Sequence, residues 1–180
     1  KPKLISYYDE IEAIRSLEII DLLLKENNVA LVSDSGTPLI ADPGFKLINE
    51  CIKRNIKVIS IPGPAALIAA LTSAGLPMNQ FLFLGYPPEK KNQRTTLFKE
   101  LLSCFKTSEQ ISPTCIFYCA PHKLEKVLLD LKEIFGDIEI IIARELTKIH
   151  EEVWRDKISE ALKKFENPIG EFVLLFTLES

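Results

Sequence analysis

The feature that most constrains this chain lies at residues 29–44, VALVSDSGTPLIADPG, where a short apolar run stops and a polar loop punctuated by glycine and proline takes over. Residues 29–32 are apolar without alternation, the pattern of a strand buried on both faces of a parallel sheet. The loop therefore leaves the carboxyl end of a strand, which is where open α/β sheets bind their ligands. The same unit recurs. Residues 57–61 form a second apolar run, and Pro62-Gly63-Pro64 turns it into an alanine-rich helix expected over residues 64–73. Parallel strands joined by helices place both loops at one sheet edge, so two glycine-bearing loops are expected to face one crevice.

Before the first loop, residues 10–27 carry Ile11, Ile14, Leu17, Ile20, Leu23 and Leu24 at helical spacing. After it, Asp42-Pro43 has the form of an N-cap with proline at the first helical position, opening a helix that buries Phe45, Ile48, Cys51 and Ile52 and ends near Asn55. Gly75-Leu76-Pro77 stops the next helix, and the domain boundary is expected here: residues 1–79 form an N-terminal domain and residues 80–180 a C-terminal one. In the second domain strands are expected at 81–85, 114–119, 138–143 and 171–176. Helices are expected at 96–105, from Pro121 to Phe135, and at 158–165. The fold class is α/β, with a parallel sheet in the first domain and a mixed sheet in the second.

At 180 residues and 47% apolar composition the chain has ample material for packed cores, and a net charge of -3 argues against a broadly basic nucleic-acid coat. Four cysteines without a scaffold spacing indicate a reducing compartment, taken as the cytoplasm. Cys115, Cys119 and His122 form no CxxC pair and His150 lies far off, so no metal is expected. The most apolar segment, residues 61–76, is too short to span a bilayer, and no signal peptide is visible.

The glycine loop lacks the lysine and hydroxyl of a P-loop, and its two glycines lie eight residues apart, which is not GxGxxG. Nucleoside triphosphate and dinucleotide readings weaken accordingly. No serine sits in a nucleophile elbow, and two histidines support no catalytic triad, so hydrolysis through a covalent nucleophile is disfavoured. What the loops offer is backbone bared by glycine, the Thr37 hydroxyl, the carboxylates of Asp34 and Asp42, and a helix N-terminus after Pro64. Asp34 and Asp42 serve either a ligand or their own turns. The ligand suggested is a small polar molecule with a carboxylate and hydroxyls. Lys90, Lys91 and Arg94 lie either on a solvated loop or against phosphate.

The motifs SDSGTPLIADPG, IPGPAALIAAL, SAGLP, FLGYPP, IFYCAPHKL, ARELTK and GEFVLLF, in that order, closely resemble the tetrapyrrole methylase family, and within it the ribosomal RNA small subunit methyltransferase I group. The resemblance runs nearly end to end. It implies two α/β domains, S-adenosyl-L-methionine held in the cleft between them, a homodimer, and methylation of a cytidine ribose 2′-hydroxyl in small-subunit ribosomal RNA. By position, it assigns cofactor contacts to Ser35, Gly36, Thr37, Pro38 and Ile40, to Gly63, Pro64, Ala65 and Ala66, and to Tyr118, Cys119 and Ala120.

It also implies an earlier strand and glycine loop that would precede residue 1, so that residues 1–180 are expected to be a fragment. Three departures stand out: Ser6 to Glu12 lack the histidine and asparagine of the usual SYHEHNE, Cys119 replaces a glutamate, and Ser35 and Ala41 replace alanine and serine. Methyl transfer depends mainly on in-line positioning. Glu145 or Lys148 are the candidates for handling the hydroxyl proton, against the alternative of an ion pair holding the strand end. Lys90, Lys91 and Arg94 become RNA-phosphate candidates. The competing functions are methylation of a tetrapyrrole-like small molecule and a non-catalytic module that binds cofactor or RNA.

Overall fold

A computed structural model describes residues 3–107 and 112–178, which form two compact units divided between Ala65 and Ala66. The first unit is built on two helices, α1 (Glu12–Leu24) and α2 (Phe45–Lys53), which pack through Ile19, Ile20, Leu47 and Cys51, with Tyr7, Leu23 and Ile56 at the edge. The expected α1 stripe is corrected. Ile14, Leu17 and Leu24 are exposed, and the buried face is Glu12, Ser16, Ile19 and Ile20. Hydrophobicity alone misreads this face because two of its members are polar groups satisfied by partners distant in sequence.

Residues 29–32 and 57–61 are not strands. Both are irregular, and Val32, Ile59 and Ile61 are exposed. A buried parallel strand needs a hydrogen-bonding neighbour and cover on both faces, and among the described residues the first unit contains no strand at all. The parallel sheet expected there is therefore absent from the described residues. Asp42-Pro43 does not cap α2 either: Gly44, at φ 139°, is its N-cap.

The second unit is a five-stranded sheet with helices on both faces. Its elements are α3 (Ala66–Ala74), β1 (Phe81–Phe83), α4 (Lys91–Thr107), β2 (Thr114–Cys119), α5 (Leu124–Phe135), β3 (Glu139–Arg144), β4 (Glu152–Lys157), α6 (Ile158–Lys164) and β5 (Phe172–Phe176). Spatial order is β1-β2-β5-β3-β4, and only the β1-β2 pair is parallel. The mixed sheet is as expected. β5 lies at its centre, which is why FVLLF is apolar without alternation and fully buried.

Cys115, Phe117, Cys119, Ile140, Ile142, Phe172, Leu174 and Phe176 face a core closed by α4, α5 and α6. The alternate residues of β2, β3 and β5 form the other face, covered by α3, whose run of alanines permits close approach. α3 is anchored at its C-terminus by Arg155, whose Nε donates to the Ala74 carbonyl at 3.0 Å and whose guanidinium also reaches the Ser73 carbonyl. A cation there complements the helix dipole. The compact units divide between Ala65 and Ala66, so that α3 and β1 belong to the second. β4, an edge strand with the sequence EVWRDK, has no counterpart among the expected elements. No described helix is long and apolar enough to cross a membrane.

Candidate cofactor-binding site

The two glycine loops meet within the first unit. Thr37 Oγ1 donates to the Pro64 carbonyl at 2.9 Å. Gly36, at φ 74°, comes so near that a Cβ would stand 3.3 Å from the Pro64 oxygen, and a Cβ on Gly63 would stand 3.2 Å from Thr37 Oγ1. Both approaches are tighter than an ordinary van der Waals contact, and at the Gly36 φ a side chain would be strained whatever the space. Ser35, Gly36, Ile40, Gly63 and Pro64 are exposed, while Thr37, Pro38 and Ala65 are partly so. The result is an open surface of backbone groups from two loops locked together at one threonine.

The first loop is closed on itself. Ser33 Oγ donates to Asp42 Oδ2 at 2.5 Å, and the Ser35 amide donates to Ser33 Oγ at 3.3 Å. Of the two roles open to Asp42, the structure gives it the turn, while Asp34 is exposed. Glu12 was not among the candidate residues. Its buried carboxylate accepts the Gly44 and Lys46 amides where the loop becomes α2. No local pattern reveals that contact, because it spans 32 residues.

In the second unit Ala66 opens α3, and the next amide, Leu67 N–H, donates to the Tyr118 hydroxyl at 3.1 Å. Tyr118 also lies edge-on to Phe83 and Tyr86. Cys119 is buried, and that burial pushes its thiol up to about 12, so it is a neutral packing residue; Ala120 follows it at the strand end, half-buried.

The cluster after β3 is an ion-pair clasp. Glu145 Oε1 accepts Lys148 Nζ at 2.9 Å and the Glu171 amide at 2.9 Å, and Lys148 Nζ also pairs with Glu171 Oε2 at 3.1 Å. The Lys148 ammonium, then the Glu171 amide, hold the Glu145 carboxyl below its ordinary range. Glu145, then Glu171, hold the Lys148 ammonium above its own. A general base works best with a pKa near the operating pH, and both groups are moved away from neutrality. Of the two roles weighed for this pair, the geometry supports the clasp that holds the strand end.

Arg94 is corrected as well. It is buried, its Nε donates to Asp130 Oδ2 at 2.7 Å, and its Nη1 donates to the Pro88 and Glu89 carbonyls at 2.9 and 3.0 Å. It therefore ties the YPPEK loop to α5 and is not available to phosphate. Lys91 is exposed and pairs with Glu133 at 3.1 Å and Asp130 at 3.5 Å; Lys90 is exposed. The spacing of three cations suggested one patch, but burial removes one of them.

A two-unit α/β chain with paired glycine loops of this form defines a class. Residues 5–162 match the tetrapyrrole (corrin/porphyrin) methylases, and the chain belongs to that family. Among curated relatives, the ribosomal RNA small subunit methyltransferase I of Hydrogenobaculum sp. (strain Y04AAS1) is 46% identical over 180 residues, spanning 98% of this chain and 75% of the relative. The enzyme of that name from Thermotoga maritima is 39% identical over 98% of this chain and 77% of its own length, and that from Synechocystis sp. 44% identical over 95% and 60%. Among solved structures, the methyltransferase CobJ superposes with a TM-score of 0.67 at 19% identity, covering 92% of this chain and 71% of its own. The uroporphyrin-III C-methyl transferase from Thermus thermophilus, complexed with S-adenyl homocysteine, gives 0.59 at 13% identity over 97% and 77%. At these identities the structures establish the fold.

Proposed function

We propose that this chain is an S-adenosylmethionine-dependent methyltransferase acting on small-subunit ribosomal RNA, at the ribose 2′-hydroxyl of a cytidine. The observation that carries the site is the junction of Gly36, Thr37, Gly63 and Pro64, where the two exposed loops approach so closely that a Cβ on either glycine would be tight against the other loop. Such a bare backbone surface fits a cofactor recognised by main-chain groups. The names of the relatives supply the class of reaction and the RNA.

Ser35, Gly36, Thr37, Pro38 and Ile40 would hold the cofactor from the first loop and Gly63, Pro64, Ala65 and Ala66 from the second. When bound, S-adenosylmethionine supplies a methyl group on an electrophilic sulfonium. Thr37 keeps the two loops in register, and orientation of the reactants supplies most of the rate. Glu145 and Lys148 hold the turn after β3. Lys90, at the end of the YPPEK loop, and Lys91, at the start of α4 and paired at the surface with Glu133 and Asp130, would be the cations that meet RNA phosphate. A homodimer in the cytoplasm is the expected assembly and location.

The test is calorimetry with S-adenosylhomocysteine, followed by transfer of labelled methyl from S-adenosylmethionine to purified small ribosomal subunits and their RNA. Label on RNA that makes one backbone linkage resistant to alkali supports the ribose reading, because a methylated 2′-oxygen cannot attack the adjacent phosphate. Label on a base overturns the 2′-O assignment, and the absence of cofactor binding at millimolar concentration overturns the enzyme reading. Gly36→Ala and Gly63→Ala are each expected to weaken cofactor binding by about tenfold or more.

A further inference from the structure

We propose that Glu12 is a positioning residue for the glycine loop, fixing from the head of α1 the point at which residues 33–44 end and α2 begins. The inference rests on the assignment of that loop to the cofactor. Glu12 is only 6% exposed, and both its oxygens are engaged. Oε1 accepts the Gly44 amide at 2.9 Å, the Lys46 amide at 3.3 Å and the Tyr7 hydroxyl at 3.2 Å, while Oε2 pairs with Lys46 Nζ at 3.1 Å. The Tyr7 hydroxyl also contacts Ser16 Oγ at 2.9 Å, fixing the side of α1 from which the carboxylate reaches.

The need for this carboxylate follows from the sequence of the cap. The first amides of a helix have no partner within it, and an N-cap side chain ordinarily accepts one of them. The N-cap of α2 is Gly44, which has no side chain to do so. Another residue there would be strained by the backbone, and at φ 139° its Cβ would stand 3.0 Å from the Leu31 side chain and 3.1 Å from that of Leu39. Glu12 supplies the missing acceptor from outside, and its negative charge suits the N-terminal end of the helix dipole. The loop is thus held at Thr37 by Pro64, at Ser33 by Asp42, and at Gly44 by Glu12, of which the last is the buried anchor. A carboxylate so occupied acts on the cofactor through the loop.

The experiment uses the full chain as Glu12→Ala, Glu12→Gln and, as a packing control, Tyr7→Phe. Amide hydrogen exchange and calorimetry with S-adenosylhomocysteine are measured on each. In Glu12→Ala the Gly44 and Lys46 amides are expected to exchange about tenfold faster or more while α5 amides are unchanged, and cofactor affinity to fall about tenfold. Glu12→Gln keeps one oxygen for those amides and is expected to recover affinity to within about threefold of the parent. Tyr7→Phe leaves both amide bonds in place and is expected to bind like the parent. Unchanged exchange at Gly44 and Lys46 in both Glu12 variants overturns the proposal, as does a loss of affinity in Tyr7→Phe equal to that in Glu12→Ala. Faster exchange with no cofactor binding by the parent chain leaves the anchor standing and overturns the cofactor assignment instead.

Discussion

Gly170 stands at φ 104°, and a Cβ there would lie 2.6 Å from Cγ and 2.7 Å from Oε1 of Glu145, a side chain pinned by Lys148 and the Glu171 amide. Gly170→Ala is therefore expected to destabilise the second unit by about 1–3 kcal/mol, read by denaturant unfolding. Adding Glu145→Ala to that variant should relieve the overlap but not the backbone strain, so a partial recovery is the expected result. Glu12 gives a prediction in pH. Burial alone would raise its carboxyl, but the Gly44 amide, then the Lys46 ammonium and amide, bring it below its ordinary 4.5. A carboxyl lowered on folding contributes stability that is fully present above its unfolded value and is lost as pH falls through the folded one. Between pH 5 and 3 the stability difference between the parent and Glu12→Gln is accordingly expected to shrink. At this scale Gly36 and Gly63 were legible in the sequence as loop glycines, whereas the Gly44 cap was read as Asp42-Pro43 and Gly170 drew no reading of its own. Glu12 was not legible, since its partners lie 32 and 34 residues away.

Among the elements, α4 and α5 are joined by the Arg94–Asp130 pair, with side chains 6% and 5% exposed. Arg94→Ala leaves the buried Asp130 carboxylate with only the exposed Lys91 as an ionic partner and is expected to cost about 3–5 kcal/mol in thermal or denaturant unfolding. Lys91→Ala, which removes an exposed partner of the same carboxylate, should cost under about 1 kcal/mol. The pair also explains why a basic run in the sequence misleads: a charge count cannot tell a solvated arginine from one whose donors are taken by Asp130 and two carbonyls. Strands β2, β3 and β5 were legible because central strands read as uninterrupted apolar runs. The edge strand β4 was not, since half of EVWRDK faces solvent and its charges resemble a loop. Residues 29–32 and 57–61 show the opposite failure, for an apolar run specifies a strand only where a neighbouring edge exists to complete the ladder.

For the molecule as a whole, the two units differ in the size of their cores. The first unit's cluster is Ile19, Ile20, Leu47 and Cys51, whereas the second buries β2, β3 and β5 against three helices. Each buried large apolar side chain contributes about 1.5–3 kcal/mol, so α1 and α2 amides are expected to exchange through openings of lower free energy than those of β2 and β5. Thiol chemistry offers an independent check. Cys104 is exposed, while burial pushes the Cys115 and Cys119 thiols up to about 12. A thiol reagent at pH 8 should modify Cys104 rapidly in the native chain and reach Cys115 and Cys119 only on unfolding.

The central place of β5 has a consequence for how the chain is made. It is the last strand in sequence among the described residues, yet it is the bridge between β2 and β3. During synthesis the β1-β2 and β3-β4 pairs emerge from the ribosome with no edge in common, each showing an apolar flank to the cell. Folding of this sheet must therefore wait until residues 172–176 are translated and released from the exit tunnel. A nascent chain stopped short of them would carry two sticky half-sheets, the kind of surface on which chaperones act.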